Sequence, residues 1–168
     1  MVKDSRFIII AGTAQNVGKT SLACQLIKHY SQKRKVISVK FISLKKNGKK
    51  HLHHEDILTF SIIKEKNITS DKDTSKMLRA GASESFLIIS KEAFVSRAIS
   101  KFKERLGGSD IVIVESAVLR NYIEPLTFVI VDRVTAVNKK TYIELMKPMA
   151  DYLITDVFDE KSILPLLK

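Results

Sequence analysis

Apolar runs rich in β-branched residues alternate along the chain with segments of helical spacing. Strands that recur between helices form βαβ units, so the pattern predicts an α/β fold: a mostly parallel central sheet with helices on both faces. A first strand is expected over Phe7–Ala11, then a glycine loop, then a helix with Leu22, Ala23, Leu26, Ile27 and Tyr30 on one face. Further strands are expected at Val36–Ile42, Phe86–Ser90, Ile111–Glu115, Phe128–Val131 and Tyr152–Thr155. Helices are expected from Asp71 to near Gly81, over Glu92–Leu106, around Lys140–Met146 and near Ser162–Leu167. Glycine at position 81 can take the left-handed conformation of a helix end. Between residues 43 and 69 the alternation breaks into an irregular basic and His-rich excursion, in which Ile57–Ile63 reads as a short strand or helix.

A chain of 168 residues, 45% hydrophobic and 28% charged, is sized for one packed domain over 1–168. The apolar run after Lys3 and Arg6 is too short for a signal-peptide core, and no stretch is long enough to cross a bilayer. A cytoplasmic protein is therefore expected, and the single Cys24, which has no internal disulfide partner, reads as a small core residue. Lys and Arg outnumber Asp and Glu by 29 to 18, and the net charge of +11 favours phosphorylated ligands or polyanions. The run Lys45-Lys46-Asn47-Gly48-Lys49-Lys50 fits a solvated loop or a phosphate-collecting flap. No aromatic residues are interleaved with it, as single-strand nucleic-acid binders require, so nucleic acid ranks last among the partners.

The segment Gly12-Thr13-Ala14-Gln15-Asn16-Val17-Gly18-Lys19-Thr20-Ser21 joins a buried strand to an amphipathic helix, the setting that a Walker A phosphate loop requires. Glycines let such a loop turn its N–H groups inward at the positive end of a helix, which makes an anion site. Lys19 is placed to reach the β and γ phosphates, Thr20 to complete Mg²⁺ coordination, and Ser21 to line the α phosphate. Five residues, not the usual four, separate Gly12 from Gly18, so Thr13 stands where the common motif has glycine. Gly12, Thr13, Asn16, Val17, Gly18, Lys19, Thr20 and Ser21 are the expected nucleotide-binding residues.

Glu115, ending the strand Ile111–Glu115, is the candidate second Mg²⁺ ligand. Asp110 begins that strand and belongs at its far end, because ligands of parallel sheets gather at the carboxyl ends. Lys40 ends the second strand on the ligand side, where an ammonium either neutralises phosphate, holds a second substrate or is simply solvated. Asp73 opens a helix and is either a first-turn acid or a group that positions Mg²⁺ or water. Lys19, Lys40 and Asp73 form the candidate catalytic set. His51, His53, His54, Glu55 and Asp56 have ligand chemistry, but their spacing matches no closed zinc set, and a mobile flap is the better use for them. Asn138-Lys139-Lys140-Thr141 lacks the aspartate of a guanine-reading Asn-Lys-x-Asp motif; Asp156 could accept from guanine in its place, but reads more simply as an exposed loop aspartate.

The spacing Gly-Thr-x-x-x-Val-Gly-Lys-Thr resembles the loop of dethiobiotin synthetases. With Val36-Ile37-Ser38-Val39-Lys40, with Lys72-Asp73-Thr74 followed by Ala80-Gly81-Ala82, and with Val114-Glu115, it is similar to the molybdopterin-guanine dinucleotide biosynthesis protein B (MobB) family. Phe41 stands where that family commonly has His, and Ser116 replaces the glycine of Val-Glu-Gly. The resemblance covers most of the first 120 residues. It implies a three-layer P-loop NTPase fold, GTP as ligand, weak hydrolysis of it, a homodimer, and a partner nucleotidyltransferase that acts on a molybdopterin-related substrate. The alternative is an ATP-dependent small-molecule kinase or ligase resembling dethiobiotin synthetase, with Lys40 holding the acceptor.

Overall fold

The apolar run that feeds the glycine loop is an interior strand of the sheet. The computed structural model describes residues 1–44, 58–108, 110–133 and 135–155. In it β1 (Val2–Gly12) sends Phe7, Ile9 and Ala11 into one core and Ile8 and Ile10 into another. A strand apolar on both faces needs cover on both, which is the condition of a central parallel strand. Each fully buried Ile or Phe contributes about 1.5–3 kcal/mol relative to exposure.

Six further strands join it: β2 (Val36–Leu44), β3 (Phe60–Lys64), β4 (Glu84–Lys91), β5 (Ile111–Glu115), β6 (Ile123–Asp132) and β7 (Tyr152–Thr155). They form one sheet in the order β3-β4-β2-β5-β1-β6-β7. Every neighbouring pair is parallel except β3 and β4. The sheet is therefore mostly parallel, with an antiparallel edge supplied by the excursion.

One face of the sheet is covered by α1 (Lys19–Tyr30), which buries Leu22, Ala23, Leu26 and Ile27, and by α2 (Asp73–Arg79), which buries Met77. The other face carries α3 (Val95–Lys103). Val95, Ala98, Ile99 and Phe102 recur at the i, i+3, i+4, i+7 positions of one helical stripe and are buried. The short α4 (Thr141–Glu144) adds Ile143 to the same core. These layers make the α/β arrangement that the alternation predicts. Among the described residues no helix is long and apolar enough to cross a membrane.

Several boundaries differ from expectation, each for a local reason. β1 starts at Val2 rather than Phe7: Asp4 and Arg6 interrupt the apolar run, yet they pair with each other at 2.8 Å, and Asp4 also pairs with Lys103 at 2.6 Å. β6 starts at Ile123, because Val2–Asp4 of β1 is paired with Ile123–Pro125 ahead of a register shift. The helix expected from Glu92 opens as a 3-10 turn, and a second such turn, Val118–Asn121, follows β5 where no element is expected. Ile57–Ile63 resolves in favour of a strand, beginning at Phe60. The helix expected near Ser162–Leu167 lies outside the described residues.

Candidate functional site

The carboxyl ends of β1, β5 and β2 lie side by side, so the last residues of three distant segments meet there. In register, Glu115 of β5 sits opposite Ile10 of β1 on one side and Lys40 of β2 on the other. A cleft of about 680 Å³ opens at these ends, with Gly12, Gly18, Lys19, Thr20, Lys40 and Glu115 in its wall.

The glycine loop forms the floor. Gly12 is required by close approach: a Cβ there would come within 2.7 Å of Lys19 Cδ and 2.8 Å of Val17 Cγ2. Asn16 and Gly18 take left-handed conformations, with φ of 54° and 104°. Gly18 caps α1 without a side chain, and the first turn of that helix holds no acidic residue. The partial positive charge of the helix start is therefore uncompensated by any side chain of its own. Lys19 adds a formal charge at that point and donates Nζ to the Ala14 carbonyl at 2.8 Å. Burial pushes its pKa down; Glu115 opposes this, while Lys140 and Lys40 add to the fall.

The loop residues divide into two roles. Gly12, Asn16, Gly18, Lys19, Thr20 and Ser21 line the cleft. Val17 is buried in the core beneath it. Thr13 is fully buried; its N–H donates to the Val131 carbonyl at 3.0 Å, its hydroxyl donates to Asp132 Oδ1 at 2.8 Å, and its carbonyl accepts from the Lys140 N–H at 2.6 Å. With its donors engaged, Thr13 braces the loop from beneath and does not line the cleft. The residue that stands where the common motif has glycine is thus a structural strut.

Across the cleft, Thr20 donates its hydroxyl to Glu115 Oε2 at 2.8 Å. Lys40 pairs with Asp73, the first residue of α2, and its Nζ lies 3.5 Å from Glu115 Oε1. Burial lowers the pKa of Lys40, but Glu115 and Asp73 together outweigh it and the net direction is upward. The ammonium is held charged between two carboxylates. Lys19, Lys40, Thr20, Asp73 and Glu115, from four elements, are brought together; Asp110 is not. It sits at the opposite end of β5, where it accepts from the Gly107 N–H at 2.7 Å and faces Lys35 at 3.8 Å.

Two groups escaped the sequence reading. Asp132 at the end of β6 accepts from Thr13 and from Lys139 and Lys147 at 2.7 and 2.8 Å. Burial raises its pKa, but Lys139, Lys147 and Thr13 bring it down to about 2. Lys140 lines the cleft, and its pKa is lowered by burial, with Glu115 opposing and Lys40 adding to the fall. The available signal was a strand-end acid, Asp132, followed by the lysine pair Lys139-Lys140. Of the family departures, Phe41 is buried in the core and Ser116 donates its N–H to the Ile10 carbonyl at 3.0 Å. Cys24 is partly buried against the core beneath α1.

Thr20 and Glu115 present adjacent hard oxygen donors beside Lys19, which suits Mg²⁺, an ion bound through one or two protein oxygens plus substrate phosphates and water. Among the described residues no group of three or more His, Cys, Asp or Glu forms a metal cage, so any such ion would rely on its ligand for the rest of its shell. His51, His53, His54, Glu55, Asp56, the lysine run and Asp156 lie outside the described residues. Comparison of the chain with protein-family models, with curated proteins and with solved structures returned no match.

Proposed function

We propose that the chain is a P-loop protein that binds a Mg²⁺–nucleoside triphosphate and hydrolyses it slowly. The observation that carries this reading is the Thr20–Glu115 hydrogen bond, which sets the residue after Lys19 against the acid at the end of the neighbouring strand. A ligand with its phosphates over Gly12–Gly18 meets the uncapped start of α1 and the Lys19 ammonium. Mg²⁺, held through Thr20 and Glu115, would neutralise charge that builds on the phosphate oxygens. Lys40 lines the same cleft and is paired with Asp73, which suits the lysine to a place beside the γ phosphate.

Guanine as the base, and a role as accessory to a nucleotidyltransferase in molybdopterin-guanine dinucleotide synthesis, rest on the resemblance in the first 120 residues. So does a homodimer. Calorimetric titration with GTP and ATP, each with and without Mg²⁺ and beside its diphosphate, tests the reading. Mg²⁺-dependent binding of GTP in preference to ATP is expected, and no affinity for either triphosphate would sink it.

A second reading is favoured by the size of the cleft, which continues past the loop along Phe41, Ile42 and Ser43 and along Ser116, Ala117 and Val118. That space fits an acceptor beside the terminal phosphate. An ATP-dependent kinase or ligase would use it, and preference for ATP in the titration would move this reading to first place.

A further inference from the structure

Glu115 is 7% exposed, and a carboxylate so placed requires a neutralising partner. That partner is Lys40, whose one ammonium serves Glu115 and Asp73 together, while Thr20 occupies the other Glu115 oxygen. The arrangement is that of a cation with two acidic ligands and a hydroxyl, except that the cation belongs to the chain. We propose that Lys40 is an internal stand-in for a divalent metal: it neutralises the Glu115 and Asp73 carboxylates and yields them when a metal–triphosphate enters. This rests on the nucleotide reading for the identity of the incoming ligand, but the exchange itself does not.

Two physical points support the exchange. An ammonium and a divalent cation repel each other and want the same oxygens, so they cannot share the pair at close range. Lys40 is half-buried on a flexible four-carbon stem, and the cleft it lines gives the ammonium somewhere to go. The phosphates that arrive with the metal supply its new counter-charge. A bare metal ion brings none, so it displaces Lys40 only by stranding an ammonium among Lys19 and Lys140, which act on the same groups. The device therefore makes metal loading conditional on the triphosphate.

The test is Mn²⁺ titration of the nucleotide-free chain followed by electron paramagnetic resonance, on the wild type, Lys40→Met and Lys40→Gln. Removing the ammonium is expected to tighten Mn²⁺ binding by about tenfold or more, as the loss of a close like charge would. Glu115→Gln added to either variant should abolish the gain. Lys40→Gln keeps amide donors for the carboxylates, so it carries the test if Lys40→Met does not fold. Equal Mn²⁺ affinity in wild type and folded variant overturns the proposal, and so does a gain that survives Glu115→Gln. Titration of the wild type with triphosphate is read separately: failure there removes the nucleotide reading and leaves the Mn²⁺ result standing.

Discussion

Thr20 and Glu115 are 95 residues apart in the chain, and the Thr20 hydroxyl donates to the Glu115 carboxylate at 2.8 Å. Each is set by a different element: Thr20 is the second residue of α1, and Glu115 is the last of β5. The bond exists because β5 pairs with β1 in a register that brings Glu115 level with Ile10, two residues short of the glycine loop. Sheet register, rather than any local motif, decides which acid meets the helix start.

Replacing Lys19 with Ala should weaken Mg²⁺–triphosphate binding by about 10–150-fold, the loss of a hydrogen-bonded charge worth about 1.5–3 kcal/mol. Stability should hardly fall, because burial already disfavours the ammonium where it stands. Calorimetry and a urea titration separate the two effects. A large loss of stability with unchanged affinity would make Lys19 a structural residue.

Gly12→Ala should reduce triphosphate affinity more than it reduces stability. The added methyl meets the Lys19 stem at 2.7 Å and Val17 at 2.8 Å, so the lysine must move to admit it. Overpacking of this kind costs about 1–3 kcal/mol. Comparing the shift in melting temperature with the change in dissociation constant checks the order of the two effects.

Asp132 ties the loop to the segment after β6, and it should give stability an acid-sensitive part. Its folded pKa of about 2 lies below the ordinary value of 3.8, so its contribution is present above about pH 4 and fades as pH falls toward 2. The Arg6 guanidinium depresses Asp4 in the same direction, so both are lost in acid. Melting temperature followed from pH 6 to pH 2 should fall, and Asp132→Asn should remove part of the slope, on the order of 1–2 kcal/mol. An identical slope in the variant would show that the Lys139 and Lys147 contacts contribute nothing net.

Lys140→Ala should lower triphosphate affinity several-fold at low ionic strength, with the difference shrinking as salt is added, because the ammonium acts through partly screened charge. Titrations at two salt concentrations read this directly. Equal affinity at both would place Lys140 outside the ligand's field.

The elements were legible where burial and period agree. Ile111–Glu115 and Tyr152–Thr155 occur with the bounds their apolar pattern predicts, and α1 buries the four apolar residues of its expected face apart from Tyr30, which is partly buried. Boundaries failed where charged residues continue an element by pairing across space. Asp4 and Arg6 lie inside β1, and Lys103, the second partner of Asp4, comes from α3. The candidate site was legible as residue types at strand and helix ends, but not as roles. Thr13 and Asp132 show this well: the residue in the motif became a brace, and a strand-end acid that no motif marked became its partner.

The sequence by itself determined the alternation of strands and helices, the glycine loop entering α1 and the positive charge gathered at the start of that helix. Those follow from side-chain period, backbone freedom and charge within a few neighbouring residues. Only the tertiary structure decided that Lys40 is shared by Asp73 and Glu115, that Asp132 holds Thr13, and that Lys140 reaches the cleft. Those contacts depend on strand order and register, which are set by how two cores pack against one sheet, and no local stretch of chain encodes that.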